Sequence, residues 1–159
     1  MKITDIKTWN VFAGFNNWTF VKVYTDEGIY GVGEATLRSR QLAVCALIEE
    51  LKRQLIGMNP FEIEGIWQSL YADIHYRGGP LMLSAFSGIE HALWDIKGKA
   101  LGVPVYELLG GKMRDKVRAY ANRWFTGAQT PEQFAEKAAE TVALGFTALK
   151  WDPFGNARW

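Results

Sequence analysis

One strand–helix–strand unit near the end of the sequence restricts the possible folds of this chain more than any other feature. Residues 116–121 and 146–150 are predicted strands. Between them, Thr130 and Gln133 have the spacing of a capping box, with a proline at the first helical position, and predict a helix that runs to Leu144. Strand, helix and strand in this order form parallel neighbours. A single unit leaves both edges of its sheet open, so it predicts the beginning of a larger parallel α/β structure.

The first part of the chain has the period of an antiparallel sheet. Residues 2–12, 18–25 and 29–35 alternate between apolar and polar side chains, as half-buried strands do. Residues 26–28 carry an acidic pair and a glycine, which predict a tight turn between the second and third strands. We therefore expect a three-stranded antiparallel meander.

From residue 41 onwards the apolar residues recur at helical spacing. We expect helices over residues 41–56, 59–70 and 82–101, with Asn59 as the cap of the second. Gly102 is expected to end the third helix. A sheet followed by helices predicts an α+β domain ahead of the parallel unit.

The composition excludes several classes of protein. Of the 159 residues, 48% are hydrophobic and 22% are charged, as in an ordinary globular protein. Lys and Arg number 18 against 17 Asp and Glu, without a run of five like charges, so neither nucleic acid nor a membrane is an expected partner. The chain shows no secretory signal and no membrane-spanning stretch, which predicts a cytoplasmic protein.

A few residues stand out from these patterns, and structural explanations suit them best. Cys45 lies in an apolar run and is expected in the core as a free thiol. Gly31 and Gly33 lack the third glycine and the helix of a dinucleotide-binding loop, so we expect close backbone packing within the meander. His91 lies one helical turn from Asp95 and is expected to be structural.

Residues that can carry chemistry follow the two strands of the parallel unit. In a parallel α/β barrel, the carboxyl ends of the strands form the active site. Residues 122–124 follow the first strand, and Lys150 and Asp152 follow the second. A lysine next but one to an aspartate can bind a carboxylate substrate and shift a neighbouring pKa. The same spacing fits a surface ion pair on a loop, and from spacing alone the ion pair is favoured.

Three segments resemble a known family. Residues 26–35 (DEGIYGVGEA) resemble the capping-domain hairpin of the mandelate racemase and muconate lactonizing enzyme family, and residues 92–104 (ALWDIKGKALGVP) are similar to the strongest signature of its N-terminal half. Residues 108–111 (LLGG) continue the similarity. The resemblance implies an enolase-superfamily fold. An α+β capping domain over residues 1–112, a three-stranded antiparallel meander plus helices, precedes the first βαβ unit of an incomplete (β/α)8 barrel over residues 113–159.

Within this family, residues 33–37 and 76–80 look most like the acid-sugar dehydratases, such as galactonate, gluconate or mannonate dehydratase. The resemblance implies a homo-oligomeric Mg²⁺-dependent lyase that removes a proton next to the carboxylate of a sugar acid, while the metal stabilises the enolate. The family's metal ligands belong to the third, fourth and fifth barrel strands, which this chain does not reach. We therefore expect the 159-residue chain alone to bind no catalytic Mg²⁺ and to be inactive.

The resemblance also assigns candidate substrate-binding residues in the cap. Asn16, Asn17 and Trp18 belong to a loop, residues 14–18, that falls where the family's substrate-selecting loops lie. Arg38 falls on a second such segment. Amide and guanidinium groups suit the hydroxyls and the carboxylate of a sugar acid.

The strand ends match the family's barrel in a modified form. Lys150 falls on the first lysine of the Lys-x-Lys motif of the second barrel strand and is the expected catalytic residue, whereas Asp152 replaces the second lysine. An aspartate cannot act as an ammonium acid, which disfavours a racemase with bases on both faces of its substrate. A dehydratase whose base comes from a later strand is favoured instead. Asn122 falls where some of these dehydratases place a polar substrate contact.

Two other functions stay open. The chain could be a non-catalytic interaction module that keeps the cap fold, or part of a racemase or cycloisomerase of the same family. Asp152 argues against the second alternative. The reading frame past Trp159 distinguishes the first alternative from a truncated dehydratase, because only the dehydratase requires it to continue.

Overall fold

The computed structural model of the chain describes residues 1–72, 75 and 77–152. The chain divides into two compact units, Met1–Lys112 and Met113–Trp159. Among the described residues, the first unit contains three strands and four helices, and the second contains one helix. None of these helices combines the length and the apolar character that a bilayer span needs.

The first unit is built on an antiparallel sheet in the order β1-β2-β3, with β1 at Ile3–Phe12, β2 at Asn17–Thr25 and β3 at Tyr30–Glu34. The central strand β2 pairs with β1, where Trp9 lies opposite Phe20, and with the whole of β3. The predicted meander is therefore confirmed. One face of β2 is buried, namely Thr19, Val21, Val23 and Thr25.

Four helices follow the sheet. They are α1 at Gln41–Leu55, α2 at Ile63–Ala72, α3 at Pro80–Leu101 and the short α4 at Val105–Leu108. The three longer helices agree with the sequence periodicity. As predicted, α3 ends at Gly102, whose φ of 69° is the left-handed conformation that glycine adopts most easily.

The start of α2 differs from the sequence prediction. Asn59 was expected to cap a helix with Pro60 as its first residue, but the helix begins at Ile63. The Asn59 side-chain oxygen accepts the N–H of Phe61 at 3.1 Å, and its carbonyl accepts the N–H of Glu62 at 3.1 Å. These two bonds close a separate turn before the helix.

The hydrophobic core lies between the sheet and the helices. Its strand residues are Ile3, Ile6, Val21 and Val23, and its helical residues include Val44, Ile48, Ile66, Phe86, Ile89, Leu93 and Ile96. On α1, Leu42 follows the helical spacing of apolar residues but is 79% exposed, whereas Val44 is buried. Cys45 is half-buried at the edge of the core, where the Asn10 amide donates to its Sγ at 3.5 Å.

The backbones of β3 and α3 lie very close together. A Cβ atom added at Gly31 would lie 1.9 Å from the carbonyl oxygen of Ala92, and one at Gly33 would lie 2.0 Å from that of Gly88. Real Cβ atoms do not approach an oxygen so closely. The two glycines are therefore required for close backbone packing, as the sequence indicated, but their partner is α3 and not another strand.

Side chains of α3 also close the free edge of β3. The N–H of Val32 donates to Oδ2 of Asp95 at 2.9 Å, and Nζ of Lys99 donates to the carbonyl of Tyr30 at 2.8 Å. Asp95 and Lys99 pair with each other at 2.7 Å, as their spacing predicted. A neighbouring strand would offer β3 one carbonyl and one N–H at these positions. The ion pair supplies the same acceptor and donor, so this part of the edge is satisfied without a strand. His91 is exposed.

An ion pair joins β1 to α1. The carboxylate of Asp5 accepts a short hydrogen bond from Nζ of Lys52 and a second one from the N–H of Ile6 at 2.9 Å. The bond to Lys52 holds the pKa of the Asp5 carboxyl below its ordinary value, and the same bond raises the pKa of Lys52. Both shifts favour the charged forms, so the pair fastens the first strand to the first helix.

The second unit contains α5 at Pro131–Ala143. Its capping box is formed as predicted: Thr130 Oγ1 accepts the N–H of Gln133 at 3.4 Å, and Gln133 Oε1 accepts the N–H of Thr130 at 3.3 Å. The helix lies in sequence between Ala121 and Leu149, which form a parallel β-bridge. The order of a βαβ unit is thus present in the described residues.

The two strands of this unit are shorter than the sequence predicts. Ladder pairing over residues 116–121 and 146–150 is limited to the bridge at Ala121. Beyond the bridge, a side chain links the two segments. The Arg118 guanidinium donates to the carbonyl of Thr147 at 2.6 Å and to its hydroxyl at 3.3 Å.

Adding one methyl group at Gly33 tests the contact between β3 and α3. We expect Gly33→Ala to lower the free energy of unfolding by about 2 kcal/mol or more, because the new Cβ overlaps a backbone oxygen that cannot move alone. Gly65→Ala is the matched control. Its Cβ would meet nothing nearer than 4.0 Å, so alanine in α2 should stabilise by up to about 1 kcal/mol. Urea unfolding measures both changes, and equal midpoints for Gly33→Ala and the parent chain would contradict the close contact.

Removing the carboxylate of Asp95 tests whether the ion pair closes the edge of β3. We expect the Val32 amide to exchange with solvent roughly tenfold faster or more in Asp95→Ala, because the lost hydrogen bond has a charged acceptor. Glu64→Ala is the control, since Glu64 accepts from Gln68 one turn away on α2 without touching a strand. Hydrogen-exchange NMR gives both rates. An unchanged Val32 rate would show that the carboxylate does not protect the edge.

Candidate functional site

The first predicted substrate-selecting segment is the connection between β1 and β2. It is closed by the N–H of Ala13, which donates to the carbonyl of Asn16 at 2.8 Å. Asn17 and Trp18 belong to β2 itself, with Trp18 paired opposite Val11. Trp18 is 46% exposed and meets Phe20 edge to face at 6.2 Å. The connecting loop is therefore shorter than the sequence implied.

The second predicted segment is the turn that precedes α1. Arg38 is exposed there, and the N–H of Arg40 donates to the carbonyl of Leu37 at 3.0 Å. Ser39 has a φ of 63°, which is uncommon for a residue other than glycine. Such a conformation persists only where the surroundings hold it.

Gln41 joins the two segments. Its side-chain nitrogen lies 3.2 Å from Oδ1 of Asn16 and 3.5 Å from the carbonyl of Asn17. Asn16 in the loop and Asn17 at the start of β2 are therefore both bonded to the first residue of α1, directly after the turn at Arg38. No pattern in the sequence indicates this role, since a polar residue at the start of a helix is ordinary.

A second group of polar residues that sequence reasoning missed lies at the start of β2. Thr19 is fully buried, its hydroxyl donates to Oδ1 of Asn10 at 2.7 Å, and its N–H donates to Oγ1 of Thr36 at 3.0 Å. These bonds join the start of β2 to β1 and to the segment that follows β3. The available sequence signal was a threonine at a position that alternation places on the buried face of β2, together with Val21 and Val23.

A polar recess lies beside the start of α3. It has a volume of about 300 Å³, and its lining consists of Glu34, Ala35, Thr36, Pro80, Leu83, Ser84 and Ser87. The two segments that look most like acid-sugar dehydratases, residues 33–37 and 76–80, thus contribute to one recess. Tyr76 lies outside the described residues, and His75 is exposed.

In the second unit the predicted strand-end residues are neighbours. The N–H of Ala121 donates to the carbonyl of Ala148 at 2.9 Å, and the N–H of Lys150 donates to the carbonyl of Ala121 at 2.8 Å. Asn122 follows Ala121 immediately, so Asn122 and Lys150 leave the two paired strands side by side. Oδ1 of Asn122 accepts the N–H of Arg123 at 2.9 Å.

Trp124 fixes the second strand end to the first loop. Its indole N–H donates to the carbonyl of Lys150 at 2.8 Å. Both backbone groups of Lys150 are therefore bonded to the end of the first strand. The ring of Trp124 also packs against Trp151, with centroids 6.1 Å apart.

The side chains after the second strand separate onto two sides. Leu149 and Trp151 line an apolar recess of about 660 Å³ against α5, together with Phe134. Lys150 is not part of that lining, and both Lys150 and Asp152 are exposed. The alternation places the predicted Lys-x-Asp pair away from the face that packs on the helix.

Side chains of His, Cys, Asp and Glu are common protein ligands of metal ions. Within residues 1–72, 75 and 77–152, no group of three or more such side chains that could hold a metal ion is found.

The chain is similar in sequence to an established family. Residues 13–110 match the family described as mandelate racemase / muconate lactonizing enzyme, N-terminal domain. The D-galactonate dehydratase of Pectobacterium atrosepticum is 47% identical over 150 residues, and that of Xanthomonas axonopodis pv. citri is 45% identical over 152 residues. These alignments cover 94% and 96% of this chain but 38% of each relative. The chain thus spans well under half the length of the curated relatives it matches.

Solved structures show the same architecture. A candidate dehydratase from Mesorhizobium loti superposes with a TM-score of 0.94 at 42% identity, covering 100% of this chain and 44% of its own. An enolase from Pantoea ananatis, crystallised with bound D-gluconate and magnesium, superposes with a TM-score of 0.86 at 42% identity. That match covers 93% of this chain and 35% of the Pantoea protein.

Proposed function

Because the chain belongs to the mandelate racemase / muconate lactonizing enzyme family, we propose that it is the N-terminal part of a longer, homo-oligomeric sugar-acid dehydratase. In this proposal residues 1–112 act as the capping domain and residues 113–159 begin the catalytic barrel. Similarity to two D-galactonate dehydratases over at least 94% of the chain supports this assignment. The bound D-gluconate in the Pantoea enolase supports a sugar acid as the substrate class.

The observation that carries the proposal is the placement of Lys150 and Asn122 at the ends of two paired parallel strands. The carboxyl ends of parallel strands are where α/β barrels build their active sites. The Ala121 carbonyl and the Trp124 indole hold the backbone of Lys150, so its position is fixed by the fold. A preorganised ammonium stabilises negative charge that develops during a reaction.

The proposed reaction removes water from adjacent carbons of the sugar acid. The proton next to the carboxylate leaves, its bonding electrons form a carbon–carbon double bond, and the neighbouring hydroxyl departs with a proton as water. In this proposal Lys150 holds the substrate while charge accumulates on its carboxylate. Asn122 and Asp152 bond substrate hydroxyls, and the base comes from a later part of the barrel.

The cap selects the substrate in this proposal. Asn16, Asn17 and Arg38 can bond hydroxyls or a carboxylate, and Trp18 presents an exposed ring beside them in sequence. The bonds from Gln41 support this role, because they hold the two asparagines in a defined position.

Mg²⁺ is the proposed cofactor of the longer polypeptide. The described residues lack a suitable ligand group, so the ligands would come from the remainder of that polypeptide. The magnesium named with the Pantoea enolase supports the choice of metal. When bound, such an ion stabilises the developing enolate.

We expect the 159-residue chain alone to be inactive. Supplied with D-galactonate or D-gluconate and Mg²⁺, it should form no 2-oxo product and should give no tight Mg²⁺ binding by calorimetry. A polypeptide of the relatives' length that begins with this sequence should be active in the same assay. Turnover by the short chain would contradict the division of labour between the two parts.

Replacing Lys150 in the longer polypeptide tests the catalytic role. We expect Lys150→Ala to lower kcat/KM by roughly a hundredfold or more, because a preorganised cation at the reacting centre is lost. Lys116→Ala is the matched control, since Lys116 is an exposed lysine ahead of the first strand of the same unit. Steady-state kinetics with the preferred sugar acid measure both. Equal activity of Lys150→Ala and the parent would remove Lys150 from the site.

A further inference from the structure

Gln41 makes two hydrogen bonds to residues 14–18, here called the asparagine loop. Together these bonds determine the orientation of the Asn16 side-chain amide. The carbonyl of Asn17 is a backbone acceptor and cannot donate, so the Gln41 atom 3.5 Å from it must be the NH2 nitrogen. The same nitrogen lies 3.2 Å from the side chain of Asn16. Asn16 must therefore present its oxygen to Gln41, because two NH2 groups facing each other would form no bond.

This orientation leaves the other end of the Asn16 amide available. Its nitrogen donates to no partner among the described residues, whereas its oxygen is engaged by Gln41. No polar side-chain atom in the described part of the chain is both buried and without a partner, so this nitrogen reaches the surface. Asn16 thus presents the two N–H donors of its amide at the surface. The bond to Gln41 prevents the flipped orientation, in which the amide oxygen would face outward.

We propose that Gln41 is a positioning residue that fixes Asn16 as a hydrogen-bond donor toward an acceptor oxygen of the bound sugar acid. The inference rests on the proposed function, since it assumes that the asparagine loop faces substrate. It deepens that function by defining the chemistry recognised there. Arg38, three positions before Gln41, also carries only donors. Both segments therefore suit an oxygen that accepts hydrogen bonds, either a carboxylate or a hydroxyl.

Changing one atom of Gln41 reverses the polarity of this arrangement. In Gln41→Glu the side chain keeps its shape but can only accept, so it would bond the Asn16 nitrogen and turn the Asn16 oxygen outward. Gln41→Leu removes both bonds without adding charge and leaves the Asn16 amide free to rotate. Gln68→Leu is the matched control, because Gln68 is an exposed glutamine of the same unit that bonds Glu64 on its own helix.

The experiment is an NMR titration of the complete 159-residue chain, labelled with ¹⁵N, with sodium D-galactonate. The side-chain amide of Asn16 should shift in the parent and in Gln68→Leu with the same dissociation constant. The affinity should fall roughly tenfold in Gln41→Glu and by a smaller factor in Gln41→Leu, as loss or partial loss of one hydrogen bond implies. An unchanged backbone amide of Ala13 in each variant shows that the loop keeps its closed form.

Galactitol, in which a CH2OH group replaces the carboxylate of galactonate, identifies the acceptor. A shift of Asn16 with galactonate alone assigns the carboxylate, and equal shifts with both compounds assign a hydroxyl; either result supports the proposal. Equal galactonate affinity in Gln41→Glu and the parent would overturn the role of Gln41 while leaving the dehydratase assignment intact. The absence of any shift within residues 14–18 and at Arg38 in the parent would remove the substrate-selecting role of the cap, and this inference with it.

Discussion

The first unit, Met1–Lys112, depends on the close contact between the backbones of β3 and α3. Because Gly31 and Gly33 have no Cβ, the strand lies directly on the helix. That short distance brings Asp95 and Lys99 within bonding range of the strand edge, at 2.9 and 2.8 Å. The segment that resembles the family signature most strongly therefore has a structural task in this unit. A bulkier residue at either glycine would separate the sheet from the helix and would also break the bonds from Asp95 and Lys99 to the edge of β3.

The periodicity of the sequence predicted most of this unit because each strand and helix buries one face. It failed where a side chain replaces a backbone partner. Asn59 delays the start of α2 by bonding the N–H of Phe61. In the second unit, the Arg118 side chain bonds the carbonyl of Thr147. The exposure of Leu42 was not predictable either, because adjacent apolar residues on a helix leave its rotation ambiguous. Such competition depends on contacts that a repeating pattern does not contain.

The candidate site was predictable to a similar extent. Lys150 and Asn122 could be placed together from the order of strand, helix and strand alone, since parallel strands end on the same side. Thr19 could be recognised only as a polar residue on the otherwise largely apolar buried face of β2. The partnership of Gln41 with Asn16 joins residues 25 positions apart through their side chains, and no local pattern indicates it.

The bond from the Trp124 indole to the carbonyl of Lys150 ties the loop after the first strand to the end of the second strand. Loops of this kind ordinarily accept insertions because their ends are fixed and their tips are free. Here the tolerance of the loop for insertions differs on the two sides of Trp124. Residues added between 125 and 129 would lengthen the loop beyond the anchor and leave the lysine where it is, whereas residues added between 122 and 124 would displace it. Divergence among related sequences should therefore be concentrated on the far side of Trp124.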